Sequence, residues 1–313
     1  MRVRSMRWFA AGLSAAVIAA GCGRDEPEPG PAPATVDSAA DAGTAGDETA
    51  AAAPATVTVT AGEYAFAPPA EVRGGLVEVR LSNRGKETHH MTLYRLTDGK
   101  SFDDFRQAML SAPPYSATPE WAVPAGGPGA AAPGDESNAF LDLAPGSYAM
   151  VCYVPAPDGA PHYTKGMLQG LEVAPGTPAG GAAEPEADLS VELVDYDFRW
   201  SSAPSAGAHR VRVVNAGPQH HEIQVFRLAD GKTLDDFMAH LQGMVGGGEP
   251  VEEPGRWVGG LSTIHPGGEG TVDVALEAGR YVLVCFEPDG KDGRPHFMHG
   301  MVKEIAVGEA AAD

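Results

Sequence analysis

Short runs of alternating polar and apolar residues recur along this chain. Residues 56–60 alternate Thr with Val, and residues 190–193 alternate Ser and Glu with Val and Leu. Residues 76–81 and 210–214 alternate apolar with charged side chains, the pattern of a sheet with one buried face. Residues 90–96 and 222–228 predict further strands. Residues 147–153 and 280–286 are nearly all apolar and predict strands buried on both faces. Two segments break the strand pattern. Ser101 with Asp104, and Thr233 with Asp236, place a capping hydroxyl three residues before an acid. Phe102, Phe105 and Met109 then supply an apolar stripe at helical spacing, as do Leu234, Phe237 and Leu241.

These elements come in the same order twice, because the chain contains a long internal repeat. Tyr64 and Phe66 return as Tyr196 and Phe198. The segment from Arg95 to Phe105 returns from Arg227 to Phe237. Pro145-Gly-Ser-Tyr148 leading to Cys152 answers to Ala278-Gly-Arg-Tyr281 leading to Cys285. Pro161-His162, with Gly166-Met167, matches Pro295-His296, with Gly300-Met301. The offset drifts only from 132 to 134 residues. A period this long marks a duplicated domain. The expected division is residues 55–174 and 187–308, joined by a linker at 175–186 and followed by a tail at 309–313. Each copy reads as an all-β sandwich with one inserted short helix. Forty glycines and 27 prolines agree with short strands and many turns.

The first residues read as an address. Arg2, Arg4 and Arg7 precede an apolar run of thirteen residues that ends at Ala20, too short to span a bilayer and suited to a signal peptide. Ala19-Ala20-Gly21-Cys22 resembles a bacterial lipobox, so residues 1–21 are expected to be removed and Cys22 lipidated. Residues 22–54 hold almost no large apolar side chain and read as a tether. The expected location is the bacterial cell envelope, exported and held at a membrane through the lipid. Lys and Arg number 22 against 42 Asp and Glu, a formal charge of −20, which argues against nucleic acid as a partner. The acidity favours instead a basic partner, by complementary charge.

Candidate chemistry lies at equivalent places in both copies. An Asn-x-Gly turn (Asn83 and Gly85; Asn215 and Gly217) precedes one histidine, His89 or His221. Cys, His and Met then follow in that order near the end of each copy: Cys152, His162 and Met167, and Cys285, His296 and Met301. Taken singly, a cysteine at a strand end or a methionine beside glycine is ordinary core. The recurrence of four such types in one order, twice, points to a metal. Two imidazoles, a thiolate and a weak thioether make up the donor set of a blue-copper electron-transfer site. A disulfide between Cys152 and Cys285 is the competing use of the two thiols, but equivalent positions in two sandwiches would rarely approach within about 7 Å.

Both copies resemble cupredoxin domains, the family of plastocyanin and azurin. The resemblance rests on the Asn-Gly turn before the first His, the Gly-x-Tyr strand leading to Cys, and His-x4-Met with Gly before the Met. It implies tandem Greek-key β-sandwiches and one type 1 copper per copy, held by His89, Cys152, His162 and Met167 in the first and by His221, Cys285, His296 and Met301 in the second. Two features depart from the family. Nine and ten residues separate Cys from the second His, where relatives have two to four; residues 155–161 and 288–295 are rich in Pro, Gly and Asp, and are expected to bulge outward and return the histidine. The residue after the first His, in many relatives an Asn, is His90 or Glu222. His299 is the best alternative ligand, while His209, His240 and His265 are expected in solvent.

The sequence has no His-x-His pair, which additional copper sites of multicopper enzymes need, and no catalytic constellation or small-molecule site stands out. The chain is therefore expected to carry electrons at a membrane and not to be an enzyme. Copper delivery with exchangeable metal, or a metal-free interaction module, are the other readings.

Overall fold

A computed structural model describes residues 53–176, 184–246 and 252–308. Cys22, the leader, the tether up to residue 52, residues 177–183 of the linker and the tail lie outside the described residues. No helix among the described residues is long and apolar enough to cross a membrane.

The first repeat runs β1 (Ala55–Gly62), β2 (Ala65–Ala67), β3 (Val72–Arg73), β4 (Gly75–Asn83), β5 (Thr92–Leu96), α1 (Phe102–Ser111), β6 (Ala122–Pro124), β7 (Pro128–Ala131), β8 (Glu136–Leu143), β9 (Gly146–Val151) and β10 (Leu168–Ala174). The second runs β11 (Leu189–Val194), β12 (Asp197–Trp200), β13 (Gly207–Asn215), β14 (His221–Leu228), α2 (Leu234–Gly246), β15 (Gly255–Ile264), β16 (Glu269–Leu276), β17 (Gly279–Val284) and β18 (Val302–Val307). The chain is mostly strand, as the alternation predicts. On β1, Val57, Val59 and Ala61 are buried while the intervening threonines face solvent. Both helices form where the capping signals lie. Ser101 and Asp104 complete a reciprocal capping box, and Asp236 bonds Thr233 in the same way. Phe105 and Met109 pack on Tyr94 and Val151, and Phe237 and Leu241 pack on Phe226 and Trp257.

The sheets join the repeats. One eight-stranded sheet has the order β12-β11-β13-β16-β8-β4-β1-β2, with β16 and β8 meeting at Thr271 and Phe140. Each repeat adds a five-stranded sheet, β3-β10-β9-β5-β6 in the first and β18-β17-β14-β15-β7 in the second. The last of these contains β7, a strand of the first repeat, paired antiparallel with β15. The linker at 175–186 therefore does not mark where the packing divides, as two separate sandwiches would require. The cause is local. β7 is Pro-Gly-Ala-Ala, without the alternation that betrays a strand, and a Cβ on Gly129 would stand 2.7 Å from the Gly260 backbone. Small residues on both sides let the backbones approach. A single apolar core then runs from Val57 through Cys152 to Cys285 and Val307.

Candidate metal centres

The strand that ends at each cysteine is pinned at its start. The Tyr148 hydroxyl donates to the Ala144 carbonyl at 2.9 Å, and the Tyr281 hydroxyl donates to the Glu277 carbonyl at 3.0 Å. These are the tyrosines of the Gly-x-Tyr motif, and they fix the entry of β9 and β17 into the core. Cys152 and Cys285 follow these strands, both fully buried and both free thiols. The disulfide alternative is thereby excluded.

The Asn-x-Gly turn delivers the first histidine. Asn83 Nδ2 donates to the carbonyls of Glu87 and Ala131 while its Oδ1 accepts from the Gly85 N–H. Asn215 repeats all three bonds with Gln219, Ile264 and Gly217. Glycine is required in this turn because a Cβ on Gly85 would come within 2.7 Å of His89 Nε2, and one on Gly217 equally close to His221 Nε2.

The long gap between Cys and the second His proves to be a closed excursion. Pro155 bridges Pro161, and Pro288 bridges Pro295. The His162 N–H donates to the Val154 carbonyl at 2.9 Å, and the His296 N–H donates to the Glu287 carbonyl at 2.8 Å. The chain leaves two residues after each cysteine, turns, and returns its histidine to that point. The 3-10 turns His162–Lys165 and His296–His299 then lead to Met167 and Met301. The amide of each cysteine donates to its methionine's carbonyl at 3.2 Å, and both methionines are fully buried.

Three of the four candidate side chains converge by their donor atoms in each repeat. His89, Cys152 and His162 each present one ligand atom, all within 4.8 Å of one another, and His221, Cys285 and His296 do the same; all six residues are buried. His89 Nδ1 lies 3.1 Å from His162 Nδ1, which lies 3.5 Å from Cys152 Sγ. Cys285 Sγ lies 3.5 Å from His296 Nδ1 and 4.0 Å from His221 Nδ1. Donors bound at about 2.0–2.1 Å for nitrogen and about 2.3 Å for thiolate around a zinc-sized ion stand about 3–4 Å apart, so both triads fit a single first-row ion. Burial pushes the Cys152 thiol up to about 12 and the Cys285 thiol well above its usual range. It holds His89 and His296 down to about 4, each further depressed by the other histidine of its pair. The imidazoles are thus neutral and ready to bind at neutral pH, and the thiol would release its proton to solvent as its sulfur bound a metal.

The surrounding groups were only partly legible in the sequence. The His90 ring accepts from the Tyr153 N–H at 2.8 Å, and Glu222 accepts from the Phe286 N–H at 3.1 Å. The residue after the first histidine therefore fastens the residue after the cysteine in both repeats, without an asparagine. Glu87 and Asp195 emerge only in three dimensions, accepting at 2.8 Å from His162 Nε2 and His221 Nε2 respectively. Tyr64 and Tyr196, at φ 57° and 74°, stand edge-on to His162 and His296. Their recurrence in the repeat was the available signal. His299 pairs with Asp292 and belongs to neither triad. His209 is not simply solvated, since Asp188 and the Ser205 carbonyl hold its ring. His265 is exposed, as expected, but its Nδ1–H donates to the Pro124 carbonyl at 2.9 Å across the repeats.

No family model and no curated protein matches this chain. Solved structures similar to it include a dithionite-reduced auracyanin from Roseiflexus castenholzii, 22% identical over 40% of this chain and 100% of that one, with a TM-score of 0.26. Auracyanin A, a "blue" copper protein from Chloroflexus aurantiacus, is 25% identical over 38% of this chain and 98% of that one, with a TM-score of 0.26. The blue copper oxidase from Nitrosomonas europaea is 18% identical over 80% of this chain and 85% of that one, with a TM-score of 0.22. Other multicopper oxidases and a copper-containing nitrite reductase are also similar. These enzymes correct the expectation that the chain is not an enzyme. The missing His-x-His pairs bear on one kind of additional copper site, and not on what else a two-repeat copper protein can do. Strands of paired sheets surround each triad, and two imidazoles with one thiolate form a copper-binding donor set.

Proposed function

We propose that this chain is an exported copper protein that carries electrons through one type 1 centre in each repeat. His89, Cys152 and His162 would hold the first ion, with the Met167 thioether as a weak fourth donor; His221, Cys285 and His296 would hold the second, with Met301. The observation that carries this reading is the convergence of one sulfur and two Nδ1 atoms, all buried, at equivalent places in both repeats. Copper bound there supplies a one-electron couple. The protein contributes a rigid, dry pocket: fixed turns position the imidazoles, and the pinned strands hold the cysteines. Cys22 anchors the mature chain to the cell envelope through its lipid, and the net charge of −20 selects a basic redox partner. Partner exchange is accordingly faster at low ionic strength, and a rate independent of salt would exclude a charge-steered encounter.

Copper titration of the purified protein tests the reading. Intense blue colour that is lost on reduction and regained on oxidation, at two coppers per chain, is the expected result. Colourless, exchangeable Cu(I) would indicate a delivery protein, and no copper at full saturation would leave an interaction module.

A further inference from the structure

We propose that the two metal centres exchange electrons within one molecule, along a buried relay that Gln224 and Glu222 carry across the boundary between the repeats. This rests on the reading of both centres as copper sites.

The relay can be followed bond by bond. In the first centre, the His89 N–H donates to the Ala131 carbonyl at 3.1 Å, and the Ala131 N–H donates back to the His89 carbonyl at 2.8 Å. Ala131 ends β7, the strand that the first repeat lends to the second repeat's sheet. One residue earlier, the Ala130 N–H donates to Gln224 Oε1 at 2.8 Å, with both partners buried. The same amide donates from Nε2 to Glu222 Oε2 at 2.8 Å. The other oxygen of Glu222 accepts from the Phe286 N–H at 3.1 Å, and Phe286 follows Cys285. Glu222 is 3% exposed and Gln224 2%, so the line of direct hydrogen bonds is shielded from bulk solvent.

Electron tunnelling weakens least through covalent and hydrogen bonds and most across gaps. From His89 to Cys285 the route contains no step longer than a hydrogen bond. The pairing of β7 with β15 and of β8 with β16 fixes its ends. The electron leaves the reduced centre of one repeat and enters the oxidised centre of the other. No bond is made or broken, and once one centre is reduced no outside reductant is consumed. The arrangement is not simply a by-product of duplication. At the positions of Gln224 and Glu222 the first repeat has Thr92, whose hydroxyl has no hydrogen-bond partner, and His90. The mirror-image route lacks the amide that would bridge it.

The test uses the copper-loaded chain, with each centre's absorption assigned from the Cys152→Ser and Cys285→Ser variants. After a flash that delivers less than one electron per molecule, absorption should redistribute between centres in a first-order phase whose rate does not change with protein concentration. Gln224→Leu should lose that phase with both coppers retained, and Glu222→Gln, whose single amide oxygen cannot accept from both Gln224 and Phe286, should slow it. In the metal-free protein, Gln224→Leu should also speed hydrogen exchange at the Ala130 amide of β7 while the amides of β14 stay protected. Redistribution that scales with protein concentration, or an unchanged phase in Gln224→Leu, overturns the relay. A chain that binds one copper or none overturns the reading of the centres, and metal content alone distinguishes that failure.

Discussion

The two centres keep the same three donors but support them from opposite sides. In the first repeat the second histidine, His162, donates to Glu87, while His89 Nε2 has no partner. In the second repeat the first histidine, His221, donates to Asp195, while His296 Nε2 makes no hydrogen bond and has only Asp289 Oδ2 at 3.9 Å. The exchange follows from two substitutions within the repeat. Glu87 is replaced by Gln219, which turns to Asp195 and Asp289. Glu63 is replaced by the shorter Asp195, which reaches the imidazole, whereas Glu63 is engaged by the Lys86 N–H. Each centre thus has one imidazole hydrogen-bonded to a carboxylate, which makes it more basic, and one without that bond. What is shared between the repeats is the donor triad with its turns and pinned strands, and what differs sets the two centres apart in energy.

The largest effect expected is loss of one centre at a time. Cys152→Ser and Cys285→Ser should each remove one copper and its colour, and unchanged colour in both would refute the ligand assignment. Next comes the glycine of the Asn-x-Gly turn. In Gly85→Ala or Gly217→Ala, the new methyl meets the ring nitrogen of the first histidine at 2.7 Å. Overpacking of this kind costs about 1–3 kcal/mol, so each variant should melt earlier and bind copper more weakly at its own centre. The carboxylates sharpen the comparison directly. Glu87→Gln should weaken copper at the first centre and Asp195→Asn at the second, by about 10–100-fold if typical of groups behind a metal ligand. Both should raise the reduction potential, since a carboxylate behind a ligand favours the more charged ion; a tenfold change corresponds to about 59 mV for one electron. Equal shifts at both centres from either variant would break the assignment of one support to each.

The smallest effect is on acid stability of the copper-free chain. His89 and His296 are held to about 4 in the fold against 6.5 in exposed histidine, by burial and then by the neighbouring imidazole. Between those values the unfolded chain binds more protons, so stability falls as pH falls. Melting temperature should be steady with respect to these groups above pH 6.5 and drop progressively toward pH 4. Replacing His89 with Gln should flatten part of that slope.

Much of this was readable in the sequence because it is local. The strands of β1, β4, β13 and β14 follow from alternation, the helices follow from Ser101 and Thr233, and the duplication exposes the His, Cys and Met positions. The joining of the repeats was not readable, since Pro128–Ala131 carries no periodic signal and its partner Gly259-Gly260 looks like a turn. Linear spacing also misrepresents the distance from Cys152 to His162, because a loop pinched at Pro155 and Pro161 adds residues without adding distance. Glu87 and Asp195 were hidden for a related reason. Each acts on a histidine 75 or 26 residues away, and the repeat shows them as positions that changed.

X-ray absorption at the copper edge tests the central claim most directly. The account predicts two coppers per chain, each with one short sulfur and two imidazole nitrogens, and the loss of one copper together with its sulfur contribution in each cysteine variant. Copper coordinated by nitrogen and oxygen alone, or a sulfur signal undiminished in both Cys152→Ser and Cys285→Ser, would contradict it.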